Sequence, residues 1–117
     1  MFGIKLENGY KEILPGIKIK TLCCGEHTLM TEFILTKNSI LPEHSHHYEQ
    51  TGYLVKGKIK LVIDGNSREI TPGGSWCIKK DIKHKAEIIE DSVALEIFSP
   101  VREDYLHFLN KEDIISF

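Results

Sequence analysis

Apolar and polar positions alternate over short distances along this chain. In "GIKIKTL", Ile17 and Ile19 alternate with Lys18 and Lys20, the period of two expected of a half-buried strand. "TLMTEFILT" predicts a second strand, closed by the turn-forming "KNS". "YLVKGKIKLVIDGNSREI" reads as a strand, a break at Gly57, another strand, a hairpin turn at Asp64-Gly65-Asn66 and a further strand. "SVALEIFSP" predicts a last strand, stopped by Pro100. Only "REDYLHFLNKEDII" has helical spacing, with Leu106, Leu109 and Ile114 near one face, and it reads as little more than a tail. Short strands punctuated by Gly, Pro, Asn and Asp predict an all-β sandwich or barrel.

Composition narrows the function classes. At 117 residues the chain is expected to form one domain, and 41% hydrophobic residues supply a core. A net charge of −2 gives no basic field for nucleic acid. No apolar run approaches the ~18 residues of a membrane-spanning helix, and "MFGIKLENGYKE" lacks the pattern of a secretory signal. Cys23 and Cys24 are adjacent and Cys77 stands apart, so unpaired thiols and a cytoplasmic location are expected.

Candidate chemistry is concentrated in "EHSHHYEQTGY", Glu43 to Tyr53, where three of the six histidines fall within four positions. If this stretch is extended, His44 and His46 share a face and His47 points away. Gln50 can rejoin the inward side after a short turn, while Glu49 faces outward. A second cluster, "TPGGSWCIKKDIKHKAE", carries a turn at Pro72-Gly73-Gly74, a strand through Trp76 and Ile78, and then His84. A rolled sheet can bring His84 back to face the first pair. His27 and His107 lie outside both clusters and read as solvated. Trp76 and Tyr53 read as core or pocket wall.

The two stretches resemble the paired motifs of the cupins. "HSHHYEQTGYLVKG" matches His-x-His, three residues, an acidic or amide ligand, then Gly after six more; "PGGSWCIKKDIKH" matches the second motif, ending in its histidine. The resemblance implies a cupin double-stranded β-helix, a jelly-roll-like barrel, with a core over about 28–100 and a tail over about 103–117. It also implies that His44, His46, Gln50 and His84 hold one divalent ion, for which zinc, nickel, manganese and iron all qualify. Two departures stand out: Gln50 where glutamate is commoner, and Gly74 where many cupins have Asp. Three neutral imidazoles and an amide leave the ion's charge uncompensated, which favours an anionic substrate.

"ALEIFSPVREDYL", Ala94 to Leu106, places Glu96 and Phe98 on one strand face with Arg102 just beyond the strand end. A carboxylate can move protons, and a guanidinium can clasp a substrate's carboxylate. With "HHYEQTGY" and "PGGSWCI", this stretch resembles the small cupins of pectin and alginate breakdown, which linearise 4,5-unsaturated monouronates to open-chain keto-uronates. The family's segment reads Asp-x-Phe-Ser-Pro-x-Arg-Glu-Asp. Its active-site positions fall on Glu96 and Arg102 as catalytic residues and Phe98 in the substrate pocket, with Glu in place of Asp.

The resemblance therefore implies a metal-dependent enzyme acting on a small anionic sugar or other small acid, with no nucleic-acid or membrane partner. A homodimer is expected, because a small barrel must cover its sheet edges and the apolar strand "GIKIKTLCC". Two other classes use the same barrel: a transition-metal dioxygenase, which requires a larger apolar pocket, and a non-catalytic small-ligand binder, which needs no proton-transfer group. A phosphosugar isomerase is weaker, since no cluster of Lys, Arg and Thr beside the motifs forms a phosphate clamp.

Overall fold

The computed structural model describes residues 1–115. Ten strands follow in chain order: β1 (Phe2–Gly3), β2 (Lys11–Leu14), β3 (Ile17–Cys24), β4 (Leu29–Leu35), β5 (Ile40–His44), β6 (Glu49–Ile63), β7 (Asn66–Ile70), β8 (Ser75–Ile78), β9 (His84–Ser99) and β10 (Ile114–Ile115). Strands β2-β3-β4-β9-β6-β7 form an antiparallel path, with β5 paired to β9 and β8 to β6; β1 and β10 form a separate two-stranded sheet. This is an all-β fold of antiparallel strands.

Alternation decides what faces inward. Along β9, His84, Ala86, Ile88, Ser92, Ala94, Glu96 and Phe98 are all buried, every one at an even position. The sequence reads as one strand beginning at His84 and a separate last one over Ser92–Ser99, but the pattern carries through and a single strand runs sixteen residues. Strand β6 behaves differently. Gln50 and Leu54 are buried, then Ile59 and Leu61, so the inward set switches from even to odd. The switch sits at Gly57, which has φ 95° and lies among successive register shifts between β6 and β9. One extra residue in a strand reverses the faces beyond it. The expected break at Gly57 is therefore a bulge inside one continuous strand.

The core joins Ile17, Leu35, Leu54, Ile59, Leu61 and Ile88. Lys20 departs from the alternation: it is 1% exposed. Its Nζ lies 2.8 Å from Asp113 Oδ2, donates to the Leu6 carbonyl at 2.7 Å and sits 4.4 Å from the Tyr10 ring centroid. Tyr10 in turn donates to Glu32. Strand β3 is thus covered by chain segments from both ends, and it is paired on either side by β2 and β4. It is not the uncovered strand expected from its apolar sequence.

The segment after Pro100 is not a helical tail. It forms two 3₁₀ turns, Glu103–Phe108 and Lys111–Asp113, and then β10. Thr21 Oγ1 donates to the Tyr105 carbonyl at 2.6 Å, and Leu106 is exposed. Tyr53 is 48% exposed, neither core nor pocket wall. Cys23, Cys24 and Cys77 are free.

Candidate metal centre and active site

Two strand ends and the turn between β5 and β6 bring the imidazoles together. His44 closes β5, His84 opens β9, and the two are register partners. His46 lies between β5 and β6, so its approach comes from a turn and not from strand alternation. One ring nitrogen from each of His44, His46 and His84 lies within 4.8 Å of the other two. His47 turns outward and pairs with Asp81 at 2.6 Å. Glu49 is exposed, and His27 is well exposed beside Glu26.

All three rings are set by one device. Nδ1 of His44 is 2.8 Å from the Pro42 carbonyl, Nδ1 of His46 is 2.9 Å from the Tyr48 carbonyl, and Nδ1 of His84 is 2.9 Å from the Ile82 carbonyl. A carbonyl oxygen only accepts, so these contacts favour the tautomer with the proton on Nδ1, in which an imidazole presents an Nε2 lone pair. Burial favours the neutral form: it lowers the His46 pKa and brings His84 down to about 4. The buried Nε2 of His84 has no hydrogen-bond partner, although buried ring nitrogens are ordinarily satisfied.

Gln50 adds a fourth donor atom. Its Oε1 lies 2.6 Å from His46 Nε2, while its amide nitrogen donates to Glu96 Oε2. An oxygen and a nitrogen lone pair repel at that distance unless a cation sits against both. The orphaned His84 nitrogen and the opposed acceptors on Gln50 and His46 both fit a bound divalent cation. Imidazole donors of fixed tautomer suit zinc, nickel and iron.

Beside these donors lies the buried Glu96 carboxylate. Besides Gln50, it accepts a hydrogen bond from Trp76 Nε1 at 2.8 Å. Burial pushes its pKa up to about 8, against the opposing effects of the Trp76 hydrogen bond and the Arg102 charge. Phe98 is 1% exposed and meets the His46 ring edge-on at 5.8 Å. The Arg102 guanidinium lies 3.8 Å from the Tyr105 ring centroid, 5.0 Å from that of Phe98 and 5.4 Å from that of Tyr48. Its Nε donates to Asp104 at 3.1 Å. A small cavity of about 70 Å³ is lined by His44, Gln50, His84, Glu96, Phe98 and Arg102 at one end and by aliphatic core residues at the other.

The structure thus gathers His44, His46, Gln50, His84, Glu96, Phe98 and Arg102 around one space. Sequence reasoning missed Trp76 as the donor to Glu96, and Tyr48 and Tyr105 as the walls around Arg102. Trp76 and Glu96 are both register partners of Gly52, a relation visible only once strand pairing is known.

Fold and site define a cupin. The family model described as "Cupin domain" matches residues 31–100, and the chain belongs to that family. Among its relatives it is 29% identical over 102 residues to the pectin degradation protein KdgF of Dickeya dadantii (strain 3937), covering 86% of this chain and 93% of that protein. The solved structure of KdgF from Halomonas sp. is similar with a TM-score of 0.86 at 27% identity, covering 91% of this chain and 98% of that one. An RmlC-like cupin from Shewanella frigidimarina NCIMB 400 shares the fold, with a TM-score of 0.85 at 24% identity, covering 90% and 95%. The chain is a small cupin that resembles the pectin-degradation cupins.

Proposed function

We propose that this protein is a metal-dependent cupin of pectin degradation that opens the ring of small 4,5-unsaturated uronates to the keto form. The observation that carries the reading is the placement of Glu96, Phe98 and Arg102 on the same cavity as His44 and His84, two of the three clustered imidazoles. The similarity to KdgF proteins adds the substrate class.

Ring opening of this kind is an isomerisation. The hemiacetal C–O bond breaks, the hydroxyl proton leaves as the aldehyde forms, and a proton is delivered to the enol carbon. His44, His46, Gln50 and His84 would hold the divalent ion. Once bound there, that ion supplies Lewis acidity that polarises a substrate oxygen without redox change. Glu96 is the group that takes and returns the proton; in the metal-free protein burial raises its carboxyl pKa, and a cation held beside it would bring that pKa back down. Arg102, stacked on Tyr105, binds the substrate's acid group through paired N–H donors. Phe98 and the aliphatic depth of the cavity exclude water.

The test is a turnover assay on protein loaded with zinc, nickel or manganese. Loss of the unsaturated-uronate absorbance without oxygen consumption is expected. Oxygen uptake on another substrate, with no uronate turnover, would instead favour a dioxygenase. Tight binding of a small acid with neither reaction would favour a non-catalytic binder.

A further inference from the structure

Three side chains link the outer strand β8 to the imidazoles. Trp76 Nε1 donates to Glu96 Oε1 at 2.8 Å, Glu96 Oε2 accepts from the Gln50 amide nitrogen, and Gln50 Oε1 points at His46 Nε2. The chain of contacts fixes a choice that an amide alone leaves open. A free glutamine presents its oxygen or its nitrogen to the histidines with little preference. With its nitrogen committed to a carboxylate, only its oxygen remains for them.

Backbone pairing explains how Trp76 reaches so far. Trp76 on β8 and Glu96 on β9 flank β6 on opposite sides, and both are register partners of Gly52. The indole must therefore cross a whole strand. A Cβ at Gly52 would lie 2.1–2.3 Å from three indole atoms of Trp76, closer than any side chain tolerates. The missing side chain is the indole's path.

From this we infer that Trp76, acting through Glu96 across Gly52, is a positioning residue that orients the Gln50 amide oxygen towards the metal site. It touches neither ion nor substrate in this role. An amide at position 50 can donate to Glu96 through its nitrogen while its oxygen still faces His46. The inference rests on the metal-binding part of the proposed function and does not depend on uronate turnover.

The experiment compares the affinity for zinc, by competition with a chromophoric chelator, of wild type, Trp76→Phe, Gly52→Ala and Glu96→Gln. Groups that orient metal ligands typically contribute about 10–100-fold in affinity. Trp76→Phe, which keeps an aromatic ring and loses the N–H, should weaken binding by about tenfold. Gly52→Ala should do the same by displacing the indole. Glu96→Gln leaves one acceptor oxygen for two donors, and adding Trp76→Phe to it should then cost little more. Trp76 is the sole tryptophan, so its emission should shift in both Glu96→Gln and Gly52→Ala, which confirms that each variant acts on the same contact. Wild-type zinc affinity in Trp76→Phe and Gly52→Ala, or multiplicative losses in the Trp76→Phe, Glu96→Gln pair, would overturn the inference and leave the metal site standing. Failure of the wild type to bind zinc, nickel, manganese or iron would overturn both.

Discussion

The amide oxygen of Gln50 lies 2.6 Å from Nε2 of His46, while Nδ1 of the same ring lies 2.9 Å from the Tyr48 carbonyl. A neutral imidazole has one proton for these two acceptors, so one contact is repulsive, a cost that a cation bound at Nε2 would remove. Adding zinc to chelator-treated protein should raise the melting temperature. An ion at about 100 times its dissociation constant contributes about 2.7 kcal/mol, which for a domain of this size is a shift of roughly 10 °C or more. His84→Ala, which removes the buried donor, should abolish most of that rise, as read by scanning calorimetry with and without metal.

Arg102 is held by aromatic faces as well as by Asp104. Arg102→Ala should lower kcat/KM for an unsaturated uronate by about 2–3 kcal/mol, the loss of charge-assisted bonds to the acid group. Arg102→Lys should recover only part, because an ammonium neither stacks on Tyr105 nor offers the fork. Steady-state kinetics with metal-saturated variants checks both.

Glu96 occupies a position where the family's segment has Asp, yet here the longer side chain makes contacts to both Gln50 and Trp76. Glu96→Asp withdraws the carboxylate by about one methylene, and displacements near 1 Å can cost about 100-fold in rate. The substitution should therefore reduce turnover in this protein. Activity equal to wild type would show that the extra length is incidental.

The Glu96 carboxyl also makes metal-free stability depend on pH. Its folded pKa of about 8 lies above the unfolded value near 4.5, so the folded state binds the extra proton between them. The contribution of this carboxyl should fall as pH rises through that window, on the order of 1 kcal/mol per pH unit, while the lowered pKa values of His46 and His84 act in the opposite sense below about 6.5. Urea midpoints of chelator-treated protein should therefore show the falling slope between pH 6.5 and 8 in wild type and its loss in Glu96→Gln.

Lys20 and Asp113 form a fully buried ion pair. Lys20→Met leaves the Asp113 carboxylate uncompensated and should cost about 3–5 kcal/mol. Adding Asp113→Leu should restore most of the loss, because a matched apolar pair has no charge to desolvate. Equilibrium denaturation of the two variants checks the difference.

Much of the imidazole cluster was legible because it depends on local spacing. His44, His46, Gln50 and His84 fall at motif separations, and Glu96 and Phe98 share a face through strand alternation alone. Period-two alternation likewise exposed the strand that contains Ile17 and Ile19. What sequence hid depends on long-range pairing. Lys20 reads as a solvent-facing residue until Asp113, ninety-three positions away, arrives beside it. The apparent strand break at Gly57 looks like an ending because parity switches there, and only the partner strand shows that the ladder continues. Helical spacing over residues 102–115 arose from 3₁₀ turns held by Thr21 and Lys20, contacts no local pattern records.

Strand β9 carries His84 at its first position and Glu96 at its thirteenth, about 40 Å apart if it ran straight. Both line one small cavity, so the strand must curl. The curl is accommodated near Gly57, where an added Cβ would lie 2.1 Å from Ser92 Oγ, and that hydroxyl accepts from the Lys58 N–H at 3.0 Å while donating to the Glu90 carbonyl at 2.7 Å. The separation of imidazole from carboxylate is therefore set by the curvature of the strand between them, beside the Gly57–Ser92 contact and the register shifts of β6 on β9. Tuning the reach of this site to a longer or shorter ligand is a matter of bending radius at Gly57 and Ser92, with every side chain in the cavity left unchanged.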